Sequence, residues 1–270
     1  MTTLSETGEL VLLAELERRG LILGVEHDAT VIGGLVVTQD ALVEGVHFLL
    51  DRLSWRELGF RAAAVNVSDL AASGALPEAM LVSLALPGET ELDDVLALYD
   101  GIAEAGVPVR GGDTTAAPVV CIRVTALGRS ERVPGRDGAQ PGDTLVVGGP
   151  LGGAGAAFRD GRYLLPPLRV AAGRELARTA HALMDISDGL AVDVGHIARR
   201  SGVRCIVELE RVPLAEVVHG RSFGEDFELL AAVSEAGRFT AVGRVEVGAG
   251  VEVLLHGEPY ELAGWEHYRR

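Results

Sequence analysis

Residues 54–75, SWRELGFRAAAVNVSDLAASGA, form the frame around which the rest of the chain can be placed. Ser54 followed by Glu57 is a capping box, so a helix starts there. Gly74 suits the left-handed position just beyond a helix end, which makes the whole stretch one long helix. Ala62, Val65, Asp69 and Ala72 share one side at helical spacing, so Asp69 is expected to face the interior. Upstream, Leu10, Leu13 and Leu16 with Gly20 following predict a short amphipathic helix, and strand-like runs occupy Thr30–Ile32 and Leu35–Thr38. Downstream, strands are expected at Met80–Leu86 and Val119–Leu127. Between them a helix opens at Thr90-x-x-Asp93 and carries Val95, Leu96, Tyr99 and Ile102.

The segment RVPGRDGAQPGD (Arg132–Asp143) concentrates Pro and Gly without apolar periodicity, and a domain boundary is expected there, dividing the chain into 1–135 and 136–270. Beyond it the pattern predicts a strand at Thr144–Val147, a glycine-rich turn at Gly148–Gly155 and a strand–turn–helix unit around Met184–Arg199. Further strands are expected at Arg204–Glu208, Glu228–Val233, Ala241–Val245 and Val251–Leu255. Strands and helices alternate in both halves, which predicts an α+β or α/β architecture.

The 270 residues carry 24 Lys+Arg against 39 Asp+Glu, for a net charge of −15. No residue is lysine, so every one of these cations is arginine, and Asn66 is the sole asparagine. A GxxxxGK[ST] phosphate loop, a Schiff-base lysine and a lysine general base are thereby excluded. The acidic balance disfavours nucleic acid and anionic lipid as partners. Met1–Glu9 lacks the basic and apolar regions of a signal peptide, and no run approaches a membrane span. Cys121 and Cys205 sit in apolar runs and read as buried strand residues of a reduced, cytoplasmic protein.

Chemistry-bearing residues gather on aspartate. Asp28 and Asp40 flank the first strands, Asp69 lies on the long helix, Asp113 sits in RGGDTT, and Asp185 and Asp188 stand in MDISDGL where a strand turns into a helix. A carboxylate is rarely buried without a compensating cation, and several together repel one another. With lysine absent and few arginines nearby, the economical counter-ion is a hard divalent metal, and Mg²⁺ prefers carboxylates combined with substrate phosphates. Taken singly, Asp188 or Ser187 also reads as a helix N-cap and Asp113 as a turn former. The run GGPLGGAGAAF (148–158) offers a phosphate cradle at a helix N-terminus, although it has no GxGxxG register. HExxH, CxxC and GxSxG motifs are missing, which leaves zinc-hydrolase and serine-hydrolase readings without support.

TQDALVEGVHF (38–48), AVNVSDLAASGA (64–75), GGDTT (111–115), RDGAQPGD (136–143), MDISDGL (184–190) and GEDFELL (224–230) occur in this order. Together they resemble the thiamine-monophosphate kinases, of the ATP-dependent superfamily that includes aminoimidazole ribonucleotide synthetase and selenophosphate synthetase. The resemblance runs from about Gly24 to Trp265. It implies a two-domain aminoimidazole ribonucleotide synthetase-like fold. The N-terminal half (1–135) would bind ATP and Mg²⁺ and build a barrel shared in a homodimer, and the C-terminal half (136–270) would be an α/β domain. The implied reaction is direct in-line transfer of the γ-phosphoryl group of ATP to thiamine monophosphate.

Carried over by position, Asp28, Thr38, Asp40, Asp69, Asp113, Asp185 and Asp188 match Mg²⁺-binding positions. Tyr99, Gly112, Asp113, Arg136 and Ser187 match nucleotide contacts, and His47, Glu225 and Trp265 match substrate contacts. Asp69, Asp113, Asp188 and Arg136 are the expected catalytic set. Arginine can grip phosphate oxygens bidentately, and an aromatic such as Trp265 can stack on a flat organic cation. The chain departs from the family pattern in having His27 in Glu26-His27-Asp28, Gln39 in Thr38-Gln39-Asp40, a shortened Phe223-Gly224-Glu225-Asp226, and a trimmed segment between Pro213 and Gly224. These departures keep open two alternatives. One is a related ATP-dependent enzyme with a different small-molecule acceptor, and the other is a nucleotide- or thiamine-phosphate-binding protein with weakened turnover.

Overall fold

The computed structural model describes residues 3–22, 27–215 and 224–265. Helices α1 (Leu4–Thr7) and α2 (Glu9–Arg18) lead into a first sheet built from β1 (Thr30–Ile32), β2 (Leu35–Val43), β3 (Leu76–Leu86), β4 (Val109–Ala116) and β5 (Cys121–Arg129), in the order β1-β2-β5-β3-β4. Every pairing is antiparallel except β3 with β4, which is parallel. The long helix α3 (Trp55–Ala72) connects β2 to β3, and α4 (Leu92–Glu104) is the crossover from β3 to β4.

A second, seven-stranded sheet contains β6 (Thr144–Val147), β7 (Ala182–Asp185), β8 (Arg204–Glu208), β9 (Leu229–Val233), β10 (Thr240–Glu246), β11 (Gly250–Leu255) and β12 (Glu258–Pro259), in the order β12-β11-β8-β10-β6-β9-β7. Helices α5 (Gly153–Arg159), α6 (Val170–Leu176) and α7 (Leu190–Ser201) connect its strands. The expected mixed α and β architecture is present, with one sheet on each side of the Pro/Gly-rich segment.

Helix α3 is the central beam. Its capping box is formed: the Ser54 hydroxyl accepts from the Glu57 amide at 3.2 Å, and Glu57 Oε2 accepts from the Ser54 amide at 2.7 Å. Gly74 closes the helix at φ +65°. The helix is buried nearly all round, as an apolar helix at the centre of a molecule must be. Leu58, Val67 and Leu70 pack with Met80, Leu98 and Ile122 of the first half. Ala71 and Ala72 pack with Leu176, Leu183 and Leu229 of the second. Two glycines let α3 and α4 meet backbone to backbone. A Cβ at Gly59 would lie 1.9 Å from the Leu98 carbonyl oxygen, and one at Gly101 would lie 1.8 Å from that of Arg56.

Two sequence expectations are corrected and one unpredicted element is found. Thr90 does not cap α4; Glu91 holds the N-cap, with no side-chain cap bond, and Asp93 and Asp94 favour the first turn electrostatically. The RGGDTT run is not a turn but the middle of β4, whose ladder with β3 is made by backbone groups that glycine also supplies. The segment 170–176 is helical, although it carries no predicted element. Both cysteines are buried strand residues, Cys121 on β5 and Cys205 on β8, and both are free thiols. Burial pushes the Cys205 thiol up to about 11. Among the described residues, no helix is long and apolar enough to cross a membrane.

Candidate active site

A cavity of about 1100 Å³ opens between the two sheets and is lined by residues from both. One part of its wall is a set of carboxylates, each placed by a different element. Asp28 precedes β1, Asp40 lies on β2, Asp69 on α3, Asp185 ends β7, and Asp188 stands in the turn before α7. The β2–α3 pairing is fixed by buried Asn66, whose Oδ1 accepts from the Asp40 amide at 3.1 Å while its Nδ2 donates to the Ala62 carbonyl at 3.0 Å. Thr38, two residues before Asp40, donates its hydroxyl hydrogen to Asp69. Ser68, also on α3, donates to Asp185 of the other half, which ties the β7 terminus to the same helix.

The carboxylates crowd one another. Oxygens of Asp28, Asp69 and Asp185 all lie within 4.8 Å. Burial, with the charges of Asp28 and Asp188, raises the Asp40 carboxyl to about 6. Burial followed by Asp28 raises Asp185 to about 8, against the lowering pull of Ser68. Asp69 is held well above the usual carboxylate range by burial and then by Asp40, Asp185 and Asp28. Arg136, from the segment between the sheets, forms an ion pair with Asp28 Oδ1. Burial works against its charge, but Asp28 outweighs that and keeps it firmly protonated. Asp28 Oδ2 remains buried with no hydrogen-bond partner.

Two further groups adjoin this set. Asp193 and His196 on α7 bring ligand-capable atoms within 4.8 Å of each other and of Asp188. Asp193 accepts from the Gly189 amide at 3.0 Å, so it also fixes the turn that presents Asp188. Burial, then Arg136, drops His196 to about 3, which keeps it neutral. Sequence reading gives neither residue a role in the site, although DVGHI places them one turn apart on α7.

A second part of the wall is aromatic. Phe158, Tyr163 and Phe227 line it together with Arg61 and Glu225. Phe158 meets Tyr163 edge to face with ring centroids 5.8 Å apart. The Arg61 guanidinium carbon lies 5.3 Å from the Tyr163 centroid and 5.8 Å from that of Phe227. Arg61 donates to Glu225 Oε1 at 2.7 Å and to the Leu164 carbonyl at 3.0 Å. Glu225 and Phe227 adopt left-handed backbone conformations at φ +59° and +51°. Backbone bonds to the β7–α7 turn hold them there: Glu225 N donates to the Ser187 carbonyl at 2.8 Å and Phe227 N to that of Ile186 at 3.0 Å.

The glycine-rich run does not offer its helix N-terminus to a ligand. Asp226 accepts from the Gly152 amide at 2.6 Å and the Ala154 amide at 2.9 Å, and so occupies the start of α5 itself.

Comparison with known proteins draws these features together. Residues 26–130 match the family model "AIR synthase related protein, N-terminal domain". The thiamine-monophosphate kinase of Aquifex aeolicus (strain VF5) is 35% identical, over 87% of this chain and 88% of its own length. That of Rhodopirellula baltica is 38% identical, over 74% and 68%. The chain belongs to the thiamine-monophosphate kinase family. Among solved structures, AaThiL complexed with AMPPCP and TMP is similar at TM-score 0.90 and 32% identity, covering 99% of both chains.

Of the positions matched to thiamine-monophosphate kinases, Asp28, Thr38, Asp40, Asp69, Arg136, Asp185, Ser187, Asp188, His47, Glu225 and Trp265 all line the one cavity. His47 Nδ1 accepts from the Val43 amide at 3.1 Å, and the Trp265 amide donates to the Asp188 carbonyl at 2.9 Å. Asp113, Gly112 and Tyr99 are not brought there. Asp113 is exposed on β4, at the far edge of the first sheet. The register runs from Asp40 through Val124 and Val82 to Gly112, three strand spacings or about 14 Å away. Tyr99 on α4 lines a separate hollow with Ala103 and Pro108. His27, in place of a family carboxylate, lines the cavity with Nδ1 buried and unpartnered, and Gln39 accepts from the Thr125 hydroxyl at 3.0 Å. Glu26, His219, Phe223 and His267, and most of the trimmed segment before Gly224, lie outside the described residues.

Proposed function

We propose that this chain transfers the γ-phosphoryl group of ATP to the phosphate of thiamine monophosphate, giving thiamine diphosphate and ADP. The bond from the γ-phosphorus to the bridging oxygen breaks, and a new bond forms to a phosphate oxygen of the acceptor. The observation that carries this reading is one cavity with two chemistries, a carboxylate set suited to cation-bound phosphates and an aromatic wall suited to a flat organic cation. A structural neighbour holding AMPPCP and TMP supports it.

The carboxylate set fits Mg²⁺. Its donors are hard oxygens, Asp28 Oδ2 is buried and lacks a partner, and the mutual repulsion of Asp28, Asp69 and Asp185 is what a divalent cation relieves. Asp28, Asp40, Asp69, Asp185 and Asp188 would hold it, with Thr38 orienting Asp69. When bound, Mg²⁺ neutralises phosphate charge during in-line transfer. Arg136 is placed to grip phosphate oxygens bidentately, in a chain that has no lysine for the task. Glu225, His47 and Trp265 receive the thiamine side. Trp265 presents a ring to the cation, while the aromatic wall excludes water around it. The enzyme would act in the cytoplasm, consistent with its two free, buried thiols.

We further propose a division into halves at 135/136 and a homodimer. The first sheet buries one face under α3 and α4, and leaves Gln39, Leu81 and Arg123 exposed on the other. Strand β4 ends the sheet as an exposed edge. Because Asp113 cannot reach the cavity of its own chain, any catalytic part it plays is in the cavity of a second copy.

The test is incubation with ATP, Mg²⁺ and thiamine monophosphate, with thiamine diphosphate as the readout. Product formation is the expected result. Failure to form it while AMPPCP still binds rejects this reading in favour of a binding protein, and turnover of another acceptor alone rejects the assigned substrate.

A further inference from the structure

Among the described residues, Arg61 is the largest side chain that is fully buried, with 1% of its surface exposed. A guanidinium withdrawn from water to this degree needs compensation on every side. Here it comes from the Leu164 carbonyl, one oxygen of Glu225 and the faces of Tyr163 and Phe227, while Nε is buried without a hydrogen-bond partner. Nothing in the phosphate-transfer assignment uses it. Glu225, by contrast, keeps 46% of its side chain exposed and lines the cavity. The pair therefore bridges interior and cavity. Arg61 anchors Oε1 from behind and leaves Oε2 to the cavity, on a backbone already fixed at a left-handed conformation.

We propose that Arg61 is a positioning residue for the acceptor substrate: it clamps Glu225 so that a single carboxylate oxygen, in one orientation, faces a flat heteroaromatic cation bearing an N–H donor. The inference rests on the thiamine-phosphate reading of the same cavity and deepens it by naming what sets acceptor selectivity. Arginine suits this task because its planar fork can bond a carboxylate and a carbonyl at once while its faces stack on rings; lysine can supply the charge only. Glu225 is desolvated on one oxygen and pre-ordered before substrate arrives, so the entropy of fixing it is not charged to binding. A clamp of this kind acts on the acceptor and leaves ATP alone, since no carboxylate of the metal-binding set touches Arg61 among its hydrogen bonds.

The experiment is a double-mutant cycle in the full-length chain with Arg61→Met, Glu225→Gln and the combination. Turnover kinetics are read against each substrate, and thiamine monophosphate and AMPPCP binding are each measured by calorimetry. Arg61→Met is expected to raise KM for thiamine monophosphate about tenfold or more, with kcat and KM for ATP within about twofold, as loss of a charge-assisted positioning bond implies. Glu225→Gln should do the same, and the combination should be no worse than either alone. Arg61→Lys should recover part of the affinity, and it replaces Arg61→Met in the cycle if the methionine variant does not fold. Additive effects, or a parallel loss of AMPPCP binding, would overturn the proposal. Wild-type protein that binds thiamine monophosphate but makes no thiamine diphosphate would instead overturn the kinase reading on which it rests.

Discussion

At the residue scale, the aspartates of the cavity trade stability for chemistry. Asp69 lies half-buried in the cavity wall among Asp40, Asp185 and Asp28, and its charge costs the metal-free protein free energy. Asp69→Asn is expected to lower turnover by about 10²-fold or more, because an electrostatic group at the reacting phosphates is lost. It should also leave the far-ultraviolet spectrum unchanged and raise the melting temperature without metal. Wild-type rates in this variant would refute the carboxylate-set reading.

The same residues set a pH dependence. Asp185 titrates at about 8 in the folded chain against an ordinary value of 3.8, so between these the folded state holds a proton that the unfolded state has lost. Stability then falls as pH rises, by at most about 1.4 kcal/mol per pH unit for one proton. His196, lowered from 6.5 to about 3, acts oppositely only below its unfolded value. From pH 6.5 to 8 the decline therefore comes from the raised carboxyls, Asp185 together with Asp69 and Asp193, which burial also holds well above the usual carboxylate range. Thermal melts without metal should decline across that window, and Asp185→Asn should make the decline shallower without abolishing it.

At the element scale, what could be read from the sequence depended on whether the signal was local. The capping box of Ser54 and Glu57 and the closing Gly74 are local, and α3 forms where they place it. Strand β4 was not legible, because GGDTT looks like a turn until β3 supplies the partner ladder. Arg61 escaped for the same reason. Its partners Leu164 and Glu225 stand 103 and 164 residues away along the chain, and nothing near it says that they will meet. The carboxylates were legible as a set because glycine-flanked aspartates at element ends are unusual together; that Asp113 would stand apart from the others on the edge strand was not.

Helix α3 also carries testable joints. Asn66→Ala removes the bridge between the Asp40 amide and the Ala62 carbonyl and should cost about 1–3 kcal/mol in denaturant unfolding, with a matching loss of activity as β2 drifts. Gly101→Ala would drive a methyl into the Arg56 carbonyl at 1.8 Å, so α3 and α4 must separate. A loss of about 1–3 kcal/mol is expected, with turnover less affected than in Asn66→Ala.

At the scale of the whole molecule, the distance of Asp113 from its own cavity makes the dimer testable by mixing. Asp69→Asn and Asp113→Asn chains, each inactive alone, are unfolded together and refolded at equal concentration. If each cavity takes Asp113 from a second copy, mixed dimers keep one intact site, and about a quarter of wild-type activity should return. No recovery in protein that sedimentation shows to be dimeric would mean that Asp113 does not serve across an interface.

The burial of α3 also bears on how the molecule can move. Opening the cavity by swinging one sheet from the other would tear Ala71 and Ala72 away from Leu176, Leu183 and Leu229, which all lie in one buried cluster. Exposing several such side chains costs on the order of several kcal/mol, far above thermal energy. The molecule is therefore stiff along its long helix and has no hinge there. Its compliance is left to the short surface segments at the cavity mouth, so substrates must be accommodated by local yielding at the rim and not by closure of two lobes.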